Sequence, residues 1–284
     1  MTVGGAAAIP DSWLVPAACH RSIGGGRAGS LTCGIVHKRH NGWDSKAQRS
    51  DHFSTVWCLR GTGRYHDAHG RTWDLGPGDI FHRFTDREHG NELDPAGGWV
   101  EAYIGFGEPL ALSLVAMGAL DPARPVRRAG LDLVLLRSLI QERDALRDAP
   151  DRDLPLHLGR LLQLHQELLA RAGRDEAGSG PHDAALDQAC RRLAEEPHVA
   201  LCALAHDCGL SYERFRKVFR ARLGVSPNEY RIRRRIDQAR TALHAGDRSV
   251  HQIASELGYA NPFQFSVQFR SLVGLSPSAY RRRR

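Results

Sequence analysis

The sequence lacks the marks of membrane and secreted proteins. No apolar run approaches the ~20 residues needed to cross a bilayer, and the chain does not open with a signal peptide. Its six cysteines form neither a CxxC pair nor a disulfide-like spacing, and we expect Cys190, Cys202 and Cys208 to be buried thiols on helix faces. We therefore expect a cytoplasmic protein with no membrane partner, and 284 residues leave room for two domains.

Positive charge is scarce in the first 210 residues and concentrated after them. The chain as a whole has 39 Lys and Arg against 32 Asp and Glu, whereas residues 211–284 alone have 16 against 5. The first 210 residues are therefore slightly acidic, with 23 basic and 27 acidic side chains. A segregated basic region of this kind predicts binding to a phosphate backbone.

A repeated unit lies within the basic region. Residues 201–230 and 250–280 carry glycine, phenylalanine, Ser-Pro and tyrosine at matched positions. Each copy predicts a helix, a turn at Gly209 or Gly258, and a second helix capped by Ser211 or Asn261. This is the helix-turn-helix arrangement, whose second helix lies in the DNA major groove. One copy alone would fit an ordinary helical hairpin, but two matched copies favour DNA binding.

The repeat region resembles the C-terminal DNA-binding domain of AraC/XylS-type transcriptional regulators. The resemblance covers about residues 183–284, through GLSYERFRKVFRARLGVSPNEYRIRRR and IASELGYANPFQFSVQFRSLVGLSPSAYR. It implies that two motifs, 201–222 and 250–273, flank a connecting helix and enter successive major grooves of promoter or operator DNA. It also implies a double-stranded DNA partner, RNA polymerase as a further partner, and no enzymatic activity or cofactor.

The exposed faces of the two second helices are predicted to contact DNA. The predicted DNA-binding residues are Glu213, Arg214, Arg216, Lys217, Arg220, Asn261, Phe263, Gln264, Val267 and Gln268. The resemblance implies base contacts at Glu213, Arg216 and Lys217 among them. Arg and Lys suit guanine, Glu suits cytosine, and Gln suits adenine. Many relatives have Arg where this chain has Val267, a change that removes a guanine or phosphate contact. The second motif is therefore expected either to read bases less or to favour a thymine methyl group.

The first half of the chain predicts an antiparallel β-structure. Short alternating runs at 31–38, 54–61, 63–68, 71–75, 79–84 and 99–106 are separated by turn residues. The segment VWCLRGTGRY…LGPGDIFHRF…EHGNE resembles the cupin-type sensor barrel found at the N-terminus of this family. We therefore expect a cupin-like barrel over residues 12–125.

A barrel of this kind predicts a pocket for a small polar, sugar-like effector. The residues aligned with pocket-lining positions of sensing relatives are Arg39, His89, Asn91, Glu101 and Tyr103. Each of them is also compatible with a purely structural role. A metal site is not expected, because His52 and His89 are scattered and the HxxH pair of His66 and His69 fits a turn.

The expected fold class is an α+β multidomain protein, with an antiparallel β-barrel followed by an all-α double helix-turn-helix domain. Residues 126–172 form two amphipathic helices that either cover the barrel or make a homodimer, and 173–183 form a linker before the DNA-binding domain at 184–284. The first amphipathic stripe is expected to contain Leu131, Val134, Leu135, Leu139 and Leu146. The main hypothesis is an effector-controlled regulator; the alternatives are a ligand-independent regulator and a metallo-cupin enzyme with an accessory DNA-binding domain.

Overall fold

The computed structural model of the protein describes residues 9–38, 45–177, 182–245 and 248–282. The chain divides into two compact units, residues 1–178 and residues 179–284. In the described residues, the first unit contains ten β-strands, three α-helices and short 3-10 helices, and the second unit is α-helical. The predicted α+β architecture is confirmed at this level.

The N-terminal unit contains two antiparallel sheets. The larger has the order β1-β2-β9-β4-β7-β10 and the smaller the order β3-β8-β5-β6. Among the strands that the structure describes, the hydrogen-bonded pairs do not join the two sheets into a closed barrel. The strands are β1 Ala17–Ser22, β2 Ser30–Lys38, β3 Ser45–Gln48, β4 Phe53–Arg60, β5 Gly63–Asp67, β6 Thr72–Leu75, β7 Asp79–Arg83, β8 His89–Leu93, β9 Trp99–Phe106 and β10 Val126–Arg128.

Strand β9 divides the N-terminal unit into two layers because its side chains alternate between the faces of the sheet. Val100, Ala102 and Ile104 enter a core shared with the helices. Trp99 enters a second core between the sheets, where residues of the larger sheet meet Tyr65 and Leu75 of the smaller one. Glu101 and Tyr103 are on the same face of β9 as Trp99, so the buried carboxylate of Glu101 lies on the inter-sheet face.

Three helices accompany the sheets: α1 Glu108–Ala116, α2 Leu133–Asp148 and α3 Leu154–Ala177. Leucines of α2 and α3, among them the predicted Leu135, Leu139 and Leu146, are buried against the same core as the outer face of the larger sheet. The prediction is wrong for Val134, which is 76% exposed, and for Leu131, which precedes α2 and is also exposed. The Asp132 side chain caps α2 by accepting from the Leu135 amide, so the helix begins at Leu133 and leaves Leu131 outside it.

Polar contacts tie α2 to its surroundings. Arg21 of β1 donates to the carbonyls of Leu146 and Ala149 at 3.1 and 2.8 Å, so it satisfies the end of α2. His157 Nδ1 of α3 lies 2.6 Å from Glu142 Oε1 of α2, and both side chains are buried. The leucine faces on which the dimer hypothesis depends are therefore used within one unit. Helix α3 also extends into the predicted linker, 173–183.

The C-terminal unit consists of seven helices in its described residues. They are α4 Asp183–Glu195, α5 Leu201–Asp207, α6 Tyr212–Leu223, α7 Pro227–Ala245, α8 Val250–Glu256, α9 Pro262–Val273 and α10 Pro277–Arg282. One apolar cluster includes residues of α4, α5 and α6, and a second includes residues of α7, α8 and α9. Each copy of the sequence repeat thus has its own small core.

The cysteines of this unit differ in exposure. Cys208 is buried, as predicted, and Cys190 is half-buried. The prediction for Cys202 is wrong, because this thiol is exposed. It lies on α5 next to Leu201, and the burial of that helix depends instead on Leu204 and Ala205.

Candidate DNA interface and effector cavity

The first motif is a helix-turn-helix formed by α5 and α6. Gly209 has a φ of 67°, the left-handed conformation that the turn requires. The Ser211 side chain caps α6 by accepting from the Arg214 amide. Phe215 and Phe219 are fully buried, which places the opposite side of α6 in solvent.

The outward face of α6 is basic. All five DNA-binding residues predicted here are exposed: Glu213, Arg214, Arg216, Lys217 and Arg220. The guanidinium Nη1 of Arg216 lies 3.2 Å from Glu213 Oε1, one helical turn away. This exposed pair holds the two side chains together on the surface where base contacts are expected, and adds little stability.

The second motif repeats this backbone. Ser249 and Gln252 form a capping box at the start of α8. Gly258 has a φ of 77°, and the Asn261 side chain accepts from the Phe263 amide at 2.8 Å to begin α9. Phe265 and Phe269 are fully buried, like their counterparts in the first motif.

The outward face of α9 is largely uncharged and partly apolar. Asn261, Gln264, Phe263 and Val267 are exposed, with Phe263 at 74% and Val267 at 52%. Gln268 is half-buried, and its Oε1 accepts from the Tyr259 hydroxyl at 3.0 Å. Part of the hydrogen-bonding capacity of Gln268 is therefore used within the motif, whereas Gln264 has an exposed side chain.

Helix α7 connects the two motifs and is anchored to both. Arg235 donates to the Pro197 carbonyl near the first motif, and its guanidinium lies over the Tyr259 ring of the second at 5.2 Å. Gln238 donates to the Ala194 carbonyl at 2.6 Å. A Cβ on Gly258 would lie 2.9 Å from Arg235 Nη2, so glycine at this position lets the turn of the second motif approach Arg235 closely. The 19 residues of α7 span roughly 28 Å at 1.5 Å per residue, comparable with the ~34 Å of one DNA turn.

A cavity of about 330 Å³ lies in the N-terminal unit, on the inter-sheet face of the larger sheet. Asn91, Glu101 and Tyr103, three of the predicted effector residues, line it. His89 is buried and stacks on Tyr65, with ring centroids 6.4 Å apart, and is not among the lining residues that the structure describes. Arg39 lies outside the described residues. The volume is at the lower end of the range for ligand pockets.

A buried ion cluster forms part of the cavity wall. Glu101 Oε2 lies 3.0 Å from Lys38 Nζ, Glu101 Oε1 lies 3.2 Å from Arg83 Nη2, and Trp99 Nε1 donates to Glu101 Oε2 at 2.7 Å. Burial by itself would raise the pKa of Glu101, but Arg83 and Lys38 outweigh it and hold that pKa below its ordinary value. Burial lowers the pKa of Lys38, and Glu101 opposes this shift. The cluster therefore holds an ionised carboxylate between two cations.

The residues that the structure describes contain neither a membrane-spanning helix nor a metal-binding cluster. None of their helices is long and apolar enough to cross a membrane. No group of three or more His, Cys, Asp and Glu side chains is arranged to hold a metal ion in this part of the chain. His66 lies 3.4 Å from Glu92, and His69 lies 3.8 Å from Asp67, so the HxxH pair faces carboxylates.

Comparison with known proteins shows the family of this chain. A sequence model described as an AraC-like ligand binding domain matches residues 35–208, and one described as a helix-turn-helix domain matches residues 204–283. The chain belongs to the AraC family. The AraC-type assignment makes it a DNA-binding transcriptional regulator with a ligand-binding domain, and not an enzyme.

Relatives of this AraC-family chain include operon regulators. The MmsAB operon regulatory protein of Pseudomonas aeruginosa is 28% identical over 244 residues, 83% of this chain and 77% of the relative. The transcriptional activator RhaR of Klebsiella pneumoniae is 28% identical over 248 residues, 80% of this chain and 83% of the relative. The probable transcriptional regulator LumQ of Photobacterium leiognathi is 28% identical over 82 residues, 29% of this chain and only 33% of that protein.

Sequence reasoning missed three cations, Lys38, Arg83 and Arg235, because their contacts depend on tertiary structure. Lys38 and Arg83 stand at the ends of β2 and β7 and meet Glu101 only because β9 lies between β2 and β4 in the sheet. Arg235 is one of several arginines in α7, and nothing in its spacing distinguishes it. Lys38, which stands between His37 and Arg39 at the end of an alternating strand, was the available signal for the cavity.

Proposed function

We propose that this AraC-type regulator reads two adjacent major grooves with α6 and α9. The observation that supports this most strongly is the pair of matched motifs anchored to one helix, α7. Arg235 contacts both sides of the junction, so the two reading helices are held at a defined separation. The ten predicted DNA-binding residues, Glu213 to Gln268, remain the proposed contacts.

The two helices are proposed to read different bases. Arg216 and Lys217 suit guanine O6 and N7, and Glu213 suits the cytosine amino group. Gln264 suits adenine, while Phe263 and Val267 offer apolar contact to thymine methyl groups. Each operator would therefore contain a G·C-reading part and an A·T-reading part about one turn apart.

The N-terminal unit is proposed to bind a small polar effector in the cavity beside Glu101. A ligand that prefers one arrangement of the chain would shift which DNA sites are occupied, because only differential binding can move such an equilibrium. A homodimer, which would suit repeated operator half-sites, and contact with RNA polymerase at a promoter are part of the same proposal. The alternative is a ligand-independent regulator. The polar, partly charged cavity is the specific observation that disfavours this alternative.

A selection of random DNA by the purified full chain tests this proposal. The selection is carried out without added metabolites and again with panels of metabolites. Sedimentation of the protein with and without the selected DNA measures its oligomeric state. We expect a bipartite site that spans about one turn and changes in occupancy with one class of metabolite. A single short motif would contradict two-helix reading. A panel without effect would favour the ligand-independent alternative.

A further inference from the structure

A chain of hydrogen bonds joins α3 to the larger sheet inside the N-terminal unit. Thr55 of β4 lies directly opposite His82 of β7 in the ladder, and Thr55 Oγ1 lies 2.9 Å from His82 Nδ1. The same hydroxyl oxygen lies 2.8 Å from Nε2 of His165 on α3. All three residues are at most 1% exposed. One buried hydroxyl group therefore links two histidines that come from the sheet and from the helix.

The geometry of this chain fixes the positions of its protons. The Thr55 hydroxyl has one proton, so it donates to one imidazole and accepts from the other. The side-chain amide Nε2 of Gln166 donates to His165 Nδ1 at 3.2 Å, which places the proton of the His165 ring on Nε2. His165 therefore donates to Thr55, and Thr55 donates to His82 Nδ1. Both imidazoles are neutral in this arrangement, and each uses its Nδ1 as an acceptor.

The surroundings of the two imidazoles oppose positive charge. The Phe53 ring packs against both of them at centroid distances of 5.9 Å, and the Phe106 ring packs edge-on against His165 at 5.5 Å. Burial lowers the pKa of His165 to about 4. Burial, followed by the charges of His165 and of Arg127 on β10, lowers the pKa of His82 to about 3. Both histidines thus remain neutral in the folded unit well below the pH at which a free imidazole becomes charged.

Acid therefore works against the contact between α3 and the sheet. A histidine in a detached or unfolded segment takes up a proton near pH ~6.5, so the stabilisation by the neutral pair is fully present above that pH. It is lost as the pH falls from ~6.5 towards the lower pKa values of the folded unit, by about tenfold in the opening equilibrium for each histidine and each pH unit. A proton on either Nδ1 also replaces an acceptor by a second donor, facing Thr55 or Gln166.

We propose that Thr55, His82 and His165 form an acid-sensitive latch, which releases α3 from the larger sheet when the pH falls below about 6.5. The released element is the helix, because β4 and β7 are also held to each other by their ladder. The proton is the signal for this latch. The latch therefore goes beyond the proposed effector function and requires no ligand in the cavity beside Glu101.

Hydrogen exchange of the full-length protein at about pH 7.5 and about pH 5.5 tests the latch, since most carboxylates stay ionised over this interval. Protection factors are compared, because they remove the pH dependence of the intrinsic exchange rate. We expect the opening equilibrium of α3 to rise by about a hundredfold, about tenfold from each histidine, and that of β4 to rise much less. Equal protection of α3 at the two pH values would overturn the proposal. An equally large loss of protection in β4 would contradict release of the helix.

Variants that cannot be protonated in this interval locate the effect. His82→Asn and His165→Gln each keep an amide group near the nitrogen that contacts Thr55. Each single variant should retain about a tenfold change in opening, and the double variant should show almost none. The change with pH is measured within each protein, so a lower overall stability does not obscure it, and the single variants suffice if the double variant does not fold. A hundredfold change in both single variants would overturn the assignment.

His157→Gln is the matched control. His157 is also a buried histidine of α3, but its Nδ1 lies 2.6 Å from Glu142 Oε1 of α2 and not against the sheet. This variant should keep the loss of protection on acidification. If His157→Gln alone abolishes that loss, the acid-sensitive contact lies between α2 and α3, and the latch at Thr55 is wrong.

Discussion

The two helix-turn-helix motifs have nearly identical interiors and different surfaces. The rings of Phe215 and Phe219 are 5.5 Å apart at 61°, and those of Phe265 and Phe269 are 5.7 Å apart at 59°. Helices α6 and α9 both end at a left-handed glycine, Gly224 or Gly274. On the outside, α6 has five cations and one acid, whereas Arg270 is the one charged residue of α9.

This difference shows which positions of a duplicated unit are constrained. A buried phenylalanine must fill its space, since large-to-small changes in a core cost about 3–5 kcal/mol. An exposed position on a reading helix has no such constraint within the protein. The two copies therefore share one scaffold and differ in their exposed residues. Three predictions test how far the divergence separates their functions.

The largest effect is expected from removing the charge of α6. Arg216→Ala with Lys217→Ala should weaken binding to a selected operator by about a hundredfold or more, because two base or phosphate contacts are lost. The slope of log affinity against log salt should fall by about two if both side chains contact phosphate, and less if they contact bases. Fluorescence anisotropy at several salt concentrations measures both quantities.

Arg191→Ala is the control for the α6 variant, as this exposed arginine lies on α4 outside the reading helices. Its operator affinity should stay close to that of the parent protein. Unchanged operator binding by the double variant would refute the assignment of α6 as a reading helix.

An intermediate effect is expected at the junction of the motifs. Arg235→Ala removes the contacts to the Pro197 carbonyl and the Tyr259 ring, so each motif should fold but their separation should become less defined. We expect the full operator to bind about tenfold more weakly while single half-sites change little, because the loss is in the effective concentration of the second motif. Titrations of full and half operators make this measurement. Equal loss on both DNAs would instead indicate damage to one motif.

Arg233→Ala is the matched control for Arg235. Arg233 also lies on α7, but it pairs with Glu229 on the same helix at 2.6 Å. Its removal should leave the ratio of full-operator to half-operator affinity unchanged.

The smallest effect is expected on α9. Replacing thymine by deoxyuridine in the part of the operator that α9 reads removes only methyl groups, and we expect about threefold to tenfold weaker binding, roughly the transfer free energy of one buried methyl. Phe263→Ala with Val267→Ala should weaken binding to the thymine operator and abolish the difference between the two DNAs. Competition binding of the four protein–DNA combinations gives the coupling directly. A thymine preference that persists in the double variant would contradict apolar readout by α9.

Much of the C-terminal unit was predictable because its signals are local. Ser211, Asn261, Gly209 and Gly258 act on the turn where they occur, so the sequence predicts the helix bounds closely. The exposed faces followed from helical periodicity once the phenylalanines were placed inside. Cys202 was misplaced since an apolar neighbour does not ensure burial on a helix of seven residues.

The N-terminal unit was predictable only in outline. Alternation revealed the strands, and the antiparallel class followed from the frequent turns. The order of the strands could not be predicted from the sequence. The cluster of Lys38, Arg83 and Glu101 depends on that order, because its members are separated by 18 to 63 positions in the chain. Val134 was misassigned because Leu135 and Leu136 take the buried face at the start of α2 and leave Val134 on the exposed side.

The sequence by itself determined helices α6 and α9, their caps, their turns and their unequal charge, since each of these depends on residues within one or two helical turns. Tertiary structure decided the contacts that join distant segments: the junction at Arg235, the packing of α2 and α3 on the larger sheet, and the ion cluster of the cavity. The physical reason is the same in each case. A backbone conformation is set by near neighbours, whereas the partner of a buried charge or an apolar face depends on which strands and helices fold against it.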